Sequence, residues 1–246
     1  MLGEMNTATT TLYQYIPAWE QPDISPFCIK LETYFRMAEI PFQTAVGQVN
    51  KAPKKKLPYI VDGDGTVLCD SRDIIAHFEA KHPAPLDRGL SLHDQATARA
   101  FRALLEEEAY FYAFYLLWHV DENFQLYLPV LREYGTALGL PRWLLGFVFK
   151  SSRKQALRDL WGQGVGRHTR DEVGQRLCEA IEALSLPLDG KAFFFGDRPR
   201  VIDATCYGFL RPLIGRPFDM QVQARLRANA NLMGYLDRIQ QRYFEG

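Results

Sequence analysis

The sequence is short of cysteine, has no surplus charge of either sign and contains no long apolar run. Its four cysteines (Cys28, Cys69, Cys178, Cys206) are widely spaced among 246 residues and match no zinc-ligand spacing. No metal site is therefore expected, and a reducing cytoplasm is the simplest location. Lys and Arg total 29 against 29 Asp and Glu. That balance argues against nucleic acid, because release of condensed counterions needs a basic excess or a basic face. The longest apolar stretches, around 114–118 and 143–149, fall well short of the roughly 20 residues that span a bilayer. No membrane insertion is expected. Residues 1–11 carry neither a basic n-region nor an apolar signal segment, so secretion is not expected either. Repeats and low-complexity segments are absent. What remains is the composition of a folded protein, 47% hydrophobic and 24% charged, of one large domain or two small ones. An aromatic content of 13% suits large helical interfaces or an apolar ligand pocket.

The first eighty residues punctuate as a small α/β unit. Residues 11–16 alternate around Leu12 and Ile16 and are rich in strand formers. Ser25-Pro26 places a cap residue before a proline at the first helical position. Phe27, Leu31, Tyr34, Phe35 and Ala38 then follow at helical spacing. Residues 41–46 read as a second strand and 51–56 as a basic loop. Asp62-Gly63-Asp64-Gly65 is a hairpin turn, since Gly and Asp tolerate positive φ. Asp70-Ser71 opens a helix carrying Ile74, Ile75 and Phe78, with Ser71 expected as its cap. Two prolines in His82-Pro83-Ala84-Pro85 end that helix and mark a linker. Beyond it everything reads helical. Ser91 and Thr169 begin capping-box patterns, residues 96–120 show one long helical periodicity, and Asn231 is expected to cap a last helix. The expected domains are a thioredoxin-like unit over 1–82, a linker over 83–90 and an all-helical unit over 91–246.

That plan, together with three motifs, resembles the cytosolic glutathione S-transferase superfamily. Ser25-Pro26-Phe27-Cys28 looks like its active-site turn, and Lys56-Leu57-Pro58-Tyr59 like the turn before the third strand, where the proline is cis. Leu68-Cys69-Asp70-Ser71 looks like its γ-glutamyl signature. Ser-Pro-Phe-Cys-Ile-Lys-Leu-Glu-Thr from Ser25, with Gly164-Val165-Gly166-Arg167-His168-Thr169, resembles the failed-axon-connections and metaxin-like branch. The resemblance implies an α/β thioredoxin-like N-terminal domain, an all-α C-terminal domain, glutathione as co-substrate, and a homodimer. The dimer contact would use the helices after Ser71 and Ser91.

The chemistry of these residues suits that ligand. A helix N-terminus carries about half a positive charge and favours a thiolate. Ser25 can donate its hydroxyl to the glutathione sulfur and position it for attack. Tyr13, Tyr15 and Cys28 are alternative thiol activators. Alternation puts the two tyrosines on one face, so at most one reaches the site. A cis Pro58 would let Leu57 pair with the cysteinyl unit like an added strand. Asp70 can hold the γ-glutamyl ammonium, Ser71 the adjacent carboxylate, and Lys54, Lys55 or Lys56 the glycine carboxylate. Tyr110, Phe111 and Phe114 are candidates for the wall of an electrophile pocket. Taken singly, each motif has an ordinary structural reading: a helix start at Ser25, a solvated carboxylate at Asp70, a solvated loop at 51–56.

Two departures from the superfamily stand out. Only about a dozen residues separate Val46 from Pro58, so its usual second helix is shortened or missing. Arg200 stands where Ser or Thr normally caps a helix with Asp203, leaving Asp203 to serve that first turn alone. The functional expectation is glutathione conjugation to a small apolar electrophile. The alternatives are a non-catalytic metaxin-like interaction module and a glutaredoxin-like thiol reductase using Cys28.

Overall fold

A computed structural model of the chain describes residues 9–218 and 221–245. Its N-terminal part is a four-stranded sheet in the order β2-β1-β3-β4, built from β1 (Thr10–Gln14), β2 (Phe42–Val46), β3 (Tyr59–Val61) and β4 (Val67–Cys69). β1 runs parallel to β2, with Leu12 opposite Thr44, and antiparallel to β3, with Leu12 opposite Ile60. The Asp62–Gly65 turn closes the β3–β4 hairpin, Gly65 adopting φ 85°. The parallel pair β1–β2 is joined by α1 (Pro26–Met37), and α2 (Ser71–Lys81) follows the hairpin.

α1 lies at the centre of the molecule. Apart from Pro26, Phe27 and Arg36, its residues are buried. One side meets the sheet and the other meets α8 (Val201–Gly215). Gly208 makes that approach possible, because a Cβ there would lie 2.6 Å from the Lys30 backbone nitrogen. The remaining helices are α3 (Leu92–Ala103), α4 (Tyr110–Trp118), α5 (Asp121–Ala137), α6 (Arg142–Gln163), α7 (Arg170–Leu188), α9 (Gln221–Ala228) and α10 (Ala230–Tyr243). The protein is thus a small mixed sheet with two helices followed by a mostly helical part, as the sequence pattern implies.

Several local expectations need correction. The continuous helix over 96–120 contains a π-helical segment at Leu104–Ala109 between α3 and α4. Asp70, not Ser71, caps α2: its carboxylate accepts from Arg72 N–H at 3.0 Å, and its φ is 78°. Ser71 is the first helical residue, and its Oγ accepts from Lys30 Nζ at 3.2 Å. Asn229, not Asn231, caps α10, while Asn231 accepts from Gly190 N–H. Asp203 does not serve the start of α8 alone. Its Oδ2 accepts from Arg200 N–H at 2.7 Å, and Asp87, from the linker, accepts the Val201 N–H at 3.0 Å. The Arg200 guanidinium donates to the carbonyls of Leu86 and Arg88. The arginine that removes one cap therefore fastens the linker that supplies another.

As expected, no helix forms between β2 and β3. Turns over 47–57 take its place, with Ala52 fully buried among Cys28, Leu57 and neighbouring side chains. Tyr134 on α5 donates its hydroxyl to the Gly47 carbonyl at 2.7 Å, which ties the start of this loop to the helical part.

Candidate active site

The first turn of α1 borders several cavities. Ser25 and Pro26 line a large one of about 500 Å3, and Phe27 lines a small one of about 60 Å3. The other walls of the small cavity are Lys54, Lys56, Leu57, Pro58, Asp70 and Ser71. The sequence motifs at Leu57-Pro58 and Asp70-Ser71 therefore meet in one place, and the Leu57–Pro58 peptide is cis. Asp70 holds a backbone conformation unusual for a residue with a side chain, and strain of this kind, on the order of 1–3 kcal/mol, tends to persist at ligand sites. Lys54 pairs with Asp73 at 2.8 Å on the surface, and Lys55 bonds the Asn50 carbonyl, which leaves Lys56 as the lysine of the cavity with no such partner among the described residues.

Beneath Ser71 sits a buried ion pair. Lys30 is 1% exposed, and its Nζ lies 2.6 Å from Glu106 Oε1 in the π-helical segment. Burial pulls the Lys30 pKa down, and the carboxylate opposes that pull. Because Lys30 Nζ donates to Ser71 Oγ, the serine hydroxyl proton is left to donate to a ligand. Periodicity placed Lys30 on the first helix but gave no signal that it would be buried, since its partner lies 76 residues away.

Ser25 occupies the N-cap position of α1, with φ −101° and ψ 127°, but its side chain caps nothing. Its own N–H donates to Asp23 Oδ1 at 2.7 Å. Asp23 is 1% exposed, and burial raises its pKa well above the carboxylate range. Cys28 is fully enclosed. Burial, then the nearby Asp23 carboxylate, push its thiol well above the usual range, with the Ser25 hydroxyl opposing. A protonated, inaccessible thiol lacks what thiol–disulfide exchange requires, which counts against the reductase alternative.

Of Tyr13 and Tyr15, only Tyr15 lines the large cavity. Tyr13 stacks on Tyr59 with ring centroids 4.5 Å apart. Tyr15 meets Tyr134 edge to face at 5.0 Å, and burial holds its pKa well above that of a free phenol, so it is neutral. Tyr110 and Phe114 line the cavity as expected. Phe111 does not; its ring packs against Tyr110. Periodicity did not single out Trp118 and Tyr127, which complete an aromatic wall, or Arg216. Arg216 lies about 190 residues along the chain from the turn it touches.

Comparison with known proteins agrees with this geometry. The Glutathione S-transferase N-terminal domain model matches residues 26–124, and the Glutathione S-transferase, C-terminal domain model matches residues 177–239. An isoprene-epoxide–glutathione S-transferase from Rhodococcus sp. (strain AD45) is 34% identical over 95% of this chain and 98% of its own length. The chain belongs to the glutathione S-transferase family. Failed axon connections from Drosophila melanogaster is 29% identical over 95% of this chain but only 57% of that protein. Metaxin-1 from Mus musculus is 27% identical over 96% of this chain and 76% of that protein. These relatives match the branch that the Ser25 and Gly164 motifs resemble. Among solved structures, a glutathione transferase from Phanerochaete chrysosporium superposes with a TM-score of 0.66 at 14% identity, covering 96% of this chain and 98% of that one. The transferase fold is shared across that distance. Among the described residues no group of His, Cys, Asp and Glu is arranged to hold a metal, and no helix is long and apolar enough to cross a membrane.

Proposed function

We propose that this protein binds glutathione in the small cavity and joins its sulfur to an apolar electrophile held in the large one. The observation that carries this reading is the meeting of the two cavities at the first turn of α1. Asp70 and Ser71 hold the γ-glutamyl end, Leu57 the cysteinyl backbone and Lys56 the glycine carboxylate. The sulfur then lies at Ser25, whose hydroxyl has no capping duty, at the positive end of a helix. The epoxide in the name of the Rhodococcus relative is the type of electrophile this cavity suits. In this reading 1–82 and 91–246 are the two domains, joined by 83–90. The chain is a cytoplasmic homodimer contacting its copy through α2 and α3; α3 has no residue buried within the chain.

Ser25→Ala should lower kcat about tenfold or more while glutathione affinity changes little, because the sulfur is a small part of the ligand. Steady-state kinetics with glutathione and an epoxide test this. Full turnover in that variant moves activation to Tyr15, which lines the same cavity. Titration calorimetry of the wild type separates a transferase from a metaxin-like interaction module, which requires no glutathione affinity.

Asp70 offers a second test, in which capping and ligand roles come apart. Asp70→Asn keeps an oxygen for Arg72 N–H and tolerates the positive φ, so its stability should change little. Loss of the charge should still weaken binding of S-hexylglutathione by roughly 10- to 100-fold. Asp70→Ala should match that loss and also destabilise the free protein by about 1 kcal/mol. Wild-type affinity in Asp70→Asn would show that the carboxylate serves the helix alone.

A further inference from the structure

The wall of the large cavity carries a single charged side chain among the described residues, Arg216. It follows the last residue of α8 and is 8% exposed. Its Nη2–H donates to the Ile24 carbonyl oxygen at 2.8 Å; the buried Asp23 acts on its charge, but no carboxylate among the described residues forms a contact ion pair with it. A buried cation without a contacting carboxylate destabilises a fold, and a guanidinium cannot escape the cost by losing its proton. Its neighbours on the wall include two phenols, Tyr110 and Tyr127. Burial raises the pKa of both while the Arg216 charge pulls the other way, and both stay neutral at pH 7. Neutral phenols and a guanidinium make this end of the cavity rich in hydrogen-bond donors. It is built to receive an anionic oxygen.

Position decides which oxygen. Ile24 directly precedes Ser25, so the guanidinium stands beside the turn where the glutathione sulfur is proposed to lie. When a thiolate opens an epoxide, the oxygen that gains charge sits on the carbon next to the one attacked. It therefore emerges close to the sulfur. A carboxylate already present on a substrate would bring a second full negative charge beside the thiolate, which this location disfavours.

We propose that Arg216 is a catalytic residue of epoxide opening, stabilising the alkoxide as it forms. The proposal rests on the glutathione-transferase reading above. The sulfur–carbon bond forms as the carbon–oxygen bond breaks, and the electron pair passes to the oxygen. The guanidinium balances that charge and keeps its own protons, while the hydroxyl of Tyr110 or Tyr127 gives the oxygen a proton. The proton released when the thiol ionises restores the phenol through solvent. The product is a hydroxyalkyl thioether, with no oxidant or reductant consumed.

Turnover of glutathione with styrene oxide, which yields an alkoxide, is to be compared with turnover of 4-nitrobenzyl chloride, which expels a stable anion needing little help. Arg216→Gln keeps a donor for the Ile24 carbonyl and removes the charge. The ratio of kcat for the epoxide to kcat for the chloride should fall roughly 100-fold, the usual scale for loss of an oxyanion donor. Arg216→Lys, which keeps the charge, should recover much of that ratio, and it serves as the measurable variant if Arg216→Gln does not fold. Equal losses on both substrates would overturn the proposal and place Arg216 in support of the thiolate or the Ser25 turn. A wild type that binds glutathione yet is inert toward both electrophiles refutes the conjugation reading and this one with it.

Discussion

Glu106→Ala is expected to destabilise the protein by about 3–5 kcal/mol, the range for removing one partner of a buried ion pair. Lys30 has nowhere to go. It lies on α1, fully enclosed between α2 and the π-helical segment, and after the substitution only Ser71 Oγ remains for its ammonium. Its folded-state pKa, already lowered by burial, then falls further. A lysine whose folded pKa lies below its unfolded one makes the folded state bind fewer protons. Stability therefore rises with pH through that window, and the variant should regain part of its loss in alkaline buffer. Urea unfolding at several pH values measures both effects. The double variant Lys30→Met, Glu106→Leu should restore most of the stability, because apolar groups of similar volume satisfy the same space. A loss below about 1 kcal/mol in Glu106→Ala would show that the pair behaves like an exposed one. Since Lys30 holds Ser71, weaker glutathione binding should accompany the unfolding effect.

What the sequence made legible was local. The cap residues Ser91 and Thr169, the Asp62–Gly65 hairpin and the proline-ended second helix each declare themselves within four or five residues, because turn and cap chemistry acts at that range. The misreadings have the same origin. Asp70 and Ser71 are both good caps, and only the backbone conformation decides between them. Asn229 and Asn231 differ only in which one has helix beginning directly after it. The arginine at 200 looked like a defect because its compensation comes from Asp87, which reaches the Val201 N–H from 114 residues earlier in the chain. Site residues divide in the same way. Ser25, Pro58, Asp70 and Ser71 sit in short motifs, and the fold gathers them at α1. Glu106 and Arg216 carry no motif. Each gains its role by burial against a distant element, so no spacing rule could have found them.

Asp203 should prove the other large determinant of stability, and its contribution should depend on pH. The side chain is fully buried at the start of α8. Its oxygens accept from Arg200 N–H at 2.7 Å, Phe194 N–H at 3.1 Å and the Tyr235 hydroxyl at 3.0 Å. Asp203→Ala leaves the Arg200 and Phe194 N–H groups without acceptors in the core and the Tyr235 hydroxyl with only the Asp203 backbone carbonyl at 3.3 Å, a loss of about 3 kcal/mol. Asp203→Asn retains one acceptor oxygen and turns an amide toward a backbone N–H, so it too destabilises, by less. Burial, opposed by these hydrogen bonds, pushes the carboxyl up to about 6. In the unfolded chain it titrates near its ordinary value of about 3.9. Between those values the folded state binds the extra proton, so wild-type stability falls as pH rises from about 4 to about 6 and levels off above. The asparagine variant lacks this titration. Its deficit relative to wild type should therefore be largest near pH 4 and shrink by up to roughly 3 kcal/mol toward neutrality. Chemical denaturation of both proteins across that range reads the difference directly, and subtraction removes the other carboxyls common to both. A deficit that grows with pH would mean that the three donors outweigh burial and hold Asp203 below its unfolded value.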